Sequence, residues 1–267
     1  MCRHLAYLGP PATLASLVLA PAHGLYEQSW APRRQTHGVV NADGFGLGWY
    51  PAEPEAGEDP ARYRRAVPIW TDQNLPGLAR SIRSRAVLAA VRSATAGTGQ
   101  EESAAAPFRD GRFLFSHNGA VPDWTRLPGD LISTPDPLLP SPDPADFLSL
   151  EARSDTALLW LLIYRELRRG VAPDEALATV IRAVAEVRPT ARLNFLLTDG
   201  QTIVATRYGD TLWHRVGPGS ILVASEPDDE APEDWREIPD NTLLLATTAG
   251  VVHTTPLRAS YAAAPEK

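Results

Sequence analysis

Apolar and polar positions alternate, imperfectly, over Cys2-Arg3-His4-Leu5-Ala6-Tyr7-Leu8-Gly9, which predicts a short strand that Gly9-Pro10-Pro11 ends. Ala12 to Leu19 reads as a short helix with Pro11 near its start. Gly44 to Tyr50 is strand-like, its glycines allowing close backbone approach on one side. A loop from Pro51 to Pro60 leads to a strand at Arg62–Trp70 and a helix at Leu75–Ser84. Ala86 to Val91 reads as a buried strand, and Arg112 to His117 as another, closed by the turn signal Asn118-Gly119.

Residues 120–150 carry a dense run of prolines, among them Pro122, Pro128, Pro135 and Pro140. No helix or central strand is expected there, so the segment predicts a long irregular loop of binding or lid type. Two helices follow, the first capped by Ser154 or Asp155 and closing at Gly170, the second running from Pro173 to just before Pro189. Asp199-Gly200 joins strands 192–198 and 201–208 as a hairpin, and strands 211–216, 220–225 and 242–247 follow. The acidic stretch Glu226–Glu237 reads as a solvated loop. Strands, two consecutive helices, then strands again favour antiparallel sheets with segregated helices, an α+β class. One domain over 2–258 is expected, with 259–267 as a tail.

The net charge of -7 argues against a broad grip on nucleic acid or an anionic membrane. No apolar run approaches the roughly 20 residues needed to span a bilayer. The first 22 residues superficially suggest an export signal, but Gly9-Pro10-Pro11 and His4 interrupt it. The single cysteine forms no internal disulfide, which fits a reducing cytoplasm. The six histidines show no metal-ligand spacing, and no phosphate-binding glycine loop precedes a helix. A cofactor-free, metal-free protein is the simpler expectation.

That lone cysteine is Cys2. A small residue after Met1 lets an aminopeptidase expose it, leaving a thiol beside a free amine. Their reference pKa values, about 8.5 and about 7.7–8.0, place nucleophile and base on one residue near neutral pH. An incidental buried cysteine is the plain alternative.

Cys2, Asn41 to Tyr50, Val91-Arg92-Ser93-Ala94-Thr95, His117-Asn118-Gly119 and Arg153-Ser154-Asp155-Thr156 resemble, in order and spacing, the class-II glutamine amidotransferases. Including Glu102 to Phe108, the match is most similar to the stand-alone γ-glutamyl hydrolases of ergothioneine biosynthesis, which act on a hercynylcysteine sulfoxide conjugate. The resemblance implies the N-terminal-nucleophile hydrolase fold, a four-layer α/β/β/α sandwich with two antiparallel sheets. It also implies that Cys2 attacks a γ-carbonyl while Asn118 and the Gly119 N–H face the oxyanion. A small-molecule γ-glutamyl substrate carries a carboxylate and an ammonium; Arg92, aided by Thr95, fits the first and Asp155 the second. Taken singly, each has a duller reading: surface arginine, helix cap, tight turn. Where many class-II members have Trp and Thr-His-Gly after the arginine, this chain has Ser93 and Thr95-Ala96-Gly97. Where broader relatives carry Asn-x-His-Pro-Phe, it has Ala104-Ala105-Ala106-Pro107-Phe108. Trp30, Trp49, Trp70 and Trp124 are candidates to cage the hercynyl trimethylammonium, with the 120–150 loop as one wall of its pocket. A glutaminase subunit serving a separate synthase and a non-catalytic interaction module are the rival readings. The pattern does not speak to oligomeric state.

Overall fold

The alternation at the start of the chain is real and runs further than its prolines suggest: β1 spans Cys2–Thr13. Gly9-Pro10-Pro11 does not end it, because the β1 register shifts between Leu8 and Ala12 and absorbs the prolines as an irregularity. The computed structural model describes residues 2–51, 59–95, 97–135, 137–140, 143–229 and 231–257. The expected 259–267 tail and most of the Pro51–Pro60 loop lie outside the described residues.

After β1 come α1 (Leu14–Val18), α2 (Leu25–Gln28), β2 (Phe45–Trp49), β3 (Ala61–Arg65), α3 (Leu75–Ser81) and β4 (Arg83–Arg92). Next are β5 (Phe108–Asp110), β6 (Phe113–Ala120), α4 (Leu127–Ile132), α5 (Pro144–Leu148), α6 (Asp155–Arg168) and α7 (Pro173–Val187). The remaining strands are β7 (Arg192–Thr198), β8 (Ile203–Arg207), β9 (Trp213–Gly217), β10 (Ser220–Ala224), β11 (Trp235–Glu237), β12 (Thr242–Thr247) and β13 (Gly250–Pro256).

Among the described residues the strands form a seven-stranded sheet, in order β11-β9-β10-β1-β4-β2-β3, and a six-stranded sheet, β13-β12-β8-β7-β6-β5. Every pairing is antiparallel. Three apolar clusters separate four layers. Leu14, Val18, Leu25 and Leu75 pack the first helices onto Leu5, Leu47 and Val87 of the larger sheet. Ala6, Leu8 and Leu88 meet Leu114, Leu196 and Leu244 between the sheets. Phe115, Phe195 and Leu197 cover the outside of the smaller sheet beneath Leu159, Ile163, Val180 and Val184 of α6 and α7. Each fully buried side chain of this size contributes about 1.5–3 kcal/mol. The α/β/β/α sandwich is therefore the observed architecture.

Several elements differ from the periodicity. The strand expected over 62–70 stops at Arg65, and a single 3-10 turn occupies Ile69–Thr71. Asn118-Gly119 is not a turn: β6 continues through both, opposite Asn194 and Leu193 of β7. The 120–150 segment is not wholly irregular, since a 3-10 turn at Trp124–Arg126, α4 and α5 lie within it. Pro128 and Pro144 fall in first turns, where the missing N–H costs no helical hydrogen bond.

The acidic stretch is also not solvated throughout. Glu226 is buried and ion-paired with the buried Arg3 at 2.9 Å. It also accepts hydrogen bonds from His23 Nε2 and from the Arg33 and Arg34 amides. Burial alone would raise its pKa, but the His23 hydrogen bond, the Arg3 charge and the Arg33 N–H outweigh this and hold it below the usual range. A depressed carboxyl pKa stabilises the fold above the unfolded value of about 4.3 and loses that contribution as pH falls. Glu226→Gln strands the Arg3 charge, and we expect a loss of about 3–5 kcal/mol near neutral pH. Urea unfolding of both proteins should show this gap narrowing towards about pH 3. A constant gap would contradict the assignment.

Candidate active site

Side chains alternate across a strand, so β1 sends Cys2, His4, Ala6 and Leu8 to one face and Arg3, Leu5 and Tyr7 to the other. The first set enters the space between the sheets, where Ala6 and Leu8 are core. On β6 the same parity sends Leu114, Ser116 and Asn118 inward. Polarity rises along this inter-sheet face: an apolar floor, then His4 Nδ1 against Ser116 Oγ at 3.1 Å, then Cys2 and Asn118 at the rim. Cys2 is half-buried and is the free thiol among the described residues.

The Cys2 backbone nitrogen donates to Asn118 Oδ1 at 3.0 Å. That bond orients the amide so that its other end, Nδ2, is buried without a partner among the described residues. Gly119 adopts φ +155, and a Cβ there would lie 1.9 Å from the Arg192 carbonyl oxygen. Only glycine fits that backbone and that approach.

Arg92 is the register partner of Cys2 on β4, so its side chain shares the inter-sheet face. It is 7% exposed; Nη2 donates to the Gly99 carbonyl at 2.6 Å and to Thr98 Oγ1 at 3.1 Å. Its Nη1 is buried and finds no partner among the described residues. The Arg92 carbonyl takes the Asp43 N–H at 2.9 Å, while Asp43 Oδ2 takes the Ala94 N–H at 2.8 Å. The Asn41-Ala42-Asp43-Gly44 run thus braces the end of β4. Thr95 enters through its carbonyl, which accepts from the Thr98 hydroxyl at 2.7 Å. Thr98, unremarked in the sequence, is the residue whose hydroxyl reaches the guanidinium.

Asp155 is buried and is not the helix cap; Ser154 is, its hydroxyl accepting from the Ala157 N–H. Asp155 Oδ2 accepts from the Val121 N–H at 3.2 Å and Oδ1 from the Thr156 N–H at 2.9 Å. This brings the carboxylate beside the segment that leaves Gly119. Between these elements lies His117, whose Nε2 meets the Arg192 carbonyl at 2.9 Å and whose Nδ1 meets Thr156 Oγ1 at 3.2 Å. Burial lowers its pKa, against the opposing pull of Asp155 and of the Arg192 hydrogen bond. His4 is held well below the ordinary imidazole value by burial and by the His117 and Arg3 charges. The site also includes Asn194, opposite Asn118, whose amide pins the Tyr208–Thr211 turn. A strand asparagine carries no spacing signal, so the sequence did not reveal it.

Beside this rim opens a cleft of about 700 Å³ walled by Glu101, Trp124, Phe147, Glu151 and Arg153, among others. One of its walls is tied to the arginine loop: Arg153 Nη1 donates to the Gly97 carbonyl and the Arg153 carbonyl accepts from the Gly99 N–H. Of the four tryptophans singled out earlier, only Trp124 lines this cleft. Trp30 and Trp70 pack edge to face against each other, and Trp49 packs on the cluster beneath the first helices. Among the described residues no group of three or more His, Cys, Asp or Glu is placed to hold a metal ion, and no helix is long and apolar enough to cross a membrane.

The family model described as glutamine amidotransferases class-II matches residues 25–218. The γ-glutamyl-hercynylcysteine sulfoxide hydrolase of Mycolicibacterium smegmatis is 44% identical over 254 residues, covering 95% of this chain and 99% of that protein. The hydrolase of the same name from Mycobacterium tuberculosis is 40% identical, with 95% and 96% covered. Among solved structures, a glutamine aminotransferase class-II domain protein from Silicibacter pomeroyi superposes with a TM-score of 0.65. At 24% identity, covering 97% of this chain and 100% of that one, it supports the fold.

Gly119→Ala should destabilise the protein by at least about 2 kcal/mol, through left-handed strain added to the collision with Arg192. The denaturation midpoint, measured with its slope, checks this; an unchanged midpoint would show that β6 and β7 separate easily at this end.

Proposed function

This chain belongs to the class-II glutamine amidotransferases, and within that family we propose that it hydrolyses the γ-glutamyl amide of γ-glutamyl-hercynylcysteine sulfoxide, a step of ergothioneine biosynthesis. The products are glutamate and hercynylcysteine sulfoxide. The observation that carries this reading is the meeting, at one rim between two sheets, of Cys2 with two buried unpartnered donors, Asn118 Nδ2 and Arg92 Nη1. The substrate follows from extensive identity to hydrolases of that name.

Removal of Met1 turns the Cys2 nitrogen into an α-amine beside Asn118 Oδ1. The thiol adds to the γ-carbonyl carbon, and its proton passes to that amine. Negative charge on the carbonyl oxygen is met by Asn118 Nδ2 and the Gly119 N–H, donors of a kind worth roughly 2.7–4 kcal/mol each. The carbon–nitrogen bond breaks, the ammonium returns its proton to the departing amine, and a γ-glutamyl thioester remains on Cys2. Water, deprotonated by the same amine, then releases glutamate and restores the thiol.

Arg92 Nη1 takes the substrate carboxylate, with Nη2 already anchored on Gly99 and Thr98. Asp155 takes the ammonium. The departing half occupies the neighbouring cleft lined by Trp124, Phe147 and Arg153, whose guanidinium lies 6.0 Å over the Trp124 ring and supplies hydrogen-bond donors. A cytoplasmic location belongs to the same reading and is supported by the lone reduced cysteine.

The test is glutamate release by the Met1-free protein from the sulfoxide conjugate and from glutamine at equal concentration. We expect strong preference for the conjugate, and a Trp124→Ala variant that loses at least about tenfold on the conjugate and much less on glutamine, because Trp124 walls the cleft and its removal costs about 1.5–3 kcal/mol of apolar contact there. Turnover of glutamine alone would identify a glutaminase that feeds a separate synthase. Equal losses of the variant on both substrates would remove the cleft from acceptor recognition.

A further inference from the structure

His117 precedes Asn118 and therefore points the other way, out of the inter-sheet space and towards α6, where its ring lies edge to face on Phe195 at 5.4 Å. A carbonyl oxygen only accepts, so the contact with Arg192 fixes the proton on Nε2, and Nδ1 of the neutral ring accepts from the Thr156 hydroxyl. Neither nitrogen has a lone pair to offer a thiol. The same ring also closes over Gly119: a Cβ on that residue would sit 2.6 Å from His117 Nε2 as well as against the Arg192 carbonyl. His117 thus touches three pieces of the site at once: the peptide after Asn118, the β7 carbonyl beneath it, and the residue next to Asp155.

We propose that His117 is a positioning residue, which holds the Gly119 peptide and the start of α6 in fixed relation and takes no part in proton transfer. The inference rests on the reading of Cys2 as nucleophile but not on the identity of the departing group. The charged and titratable groups around the ring are Asp155 on α6, Arg192 at the start of β7, Asp210 on the β8–β9 connection, His4 on β1 and the positive amino terminus, which opposes protonation of the ring. Arg192 and Asp210 pair with each other at 3.2 Å, so among the described residues Asp155 is the carboxylate that a protonated ring would meet.

Three variants of the Met1-free protein test this: His117→Leu, His117→Gln and Thr156→Val. Each is assayed for glutamate release and for alkylation of Cys2 by the diazoketone analogue of glutamine, which needs no particular acceptor. His117→Leu should lower kcat and the maximal alkylation rate by about 10- to 100-fold, the scale of a small misplacement of reacting groups. His117→Gln keeps an N–H donor for the Arg192 carbonyl and should recover most of that loss. Thr156→Val should raise KM severalfold at nearly constant kcat, because it loosens only the Asp155 side.

The acid limb of kcat/KM should stay in place in every variant. A displaced or missing limb in a His117 variant would make the imidazole the titrating base and overturn the proposal. Equal losses in Leu and Gln, with matching falls in unfolding temperature, would reduce His117 to a packing role and overturn it too. If His117→Leu does not fold, unaltered KM in Thr156→Val has the same force. A parent protein that is alkylated at Cys2 but releases no glutamate from the sulfoxide conjugate would defeat the substrate assignment alone.

Discussion

The hydrogen bond from the Cys2 nitrogen to Asn118 Oδ1 joins the two sheets at their open end, and the site depends on it. A chain terminus ordinarily frays. Here the first described residue belongs to a strand paired on both sides, with β4 from Cys2 onward and with β10 from Leu5 onward. The Ser225 amide and hydroxyl close the gap between, bonding to the His4 carbonyl and accepting the His4 N–H. Cys2, the proposed nucleophile, inherits the rigidity of the sheet at the tip of this strand, and the contact with Asn118 sets its height above the facing sheet.

The same constraint explains where charge is stored. Arg3, facing the other way, has its guanidinium buried against Glu226, so the residue adjoining Cys2 is locked from below while Cys2 is locked from above. At the rim, Arg92 Nη1 and Asn118 Nδ2 are buried donors without partners among the described residues. Leaving such groups unmet costs about 1–3 kcal/mol each, a cost that a γ-glutamyl carboxylate and a developing oxyanion would relieve. In the proposed mechanism this unrelieved desolvation is the source of both substrate capture and transition-state preference.

Elements with strong periodicity were legible in the sequence. The apolar stripes of α6 and α7, the Asp199-Gly200 hairpin and the inner strand β4 lie where their patterns placed them. The misreadings share a cause: a residue whose local preference is overruled by what packs against it. Asn118-Gly119 has the composition of a hairpin turn, yet β7 pairs with both residues, and the glycine serves a close carbonyl instead. Glu226 sits in an acidic run that suggests solvent, but a buried arginine far away in sequence draws it inside. Among the candidate site residues, Cys2, Arg92, Asn118 and Asp155 announced themselves by motif. Thr98, Asn194 and Glu226 did not, because their roles arise from long-range contacts that spacing along the chain does not encode.

The proposed chemistry needs an N-terminal cysteine whose own amine serves its thiol, and the mass of the working enzyme tests that directly. Protein that is turning over a γ-glutamyl substrate should be acid-quenched and its N-terminal peptide weighed. That chemistry predicts that Met1 is gone and that a fraction of the peptide carries one γ-glutamyl group on Cys2. An active enzyme that retains Met1, or an acyl group found on any other residue, would contradict it.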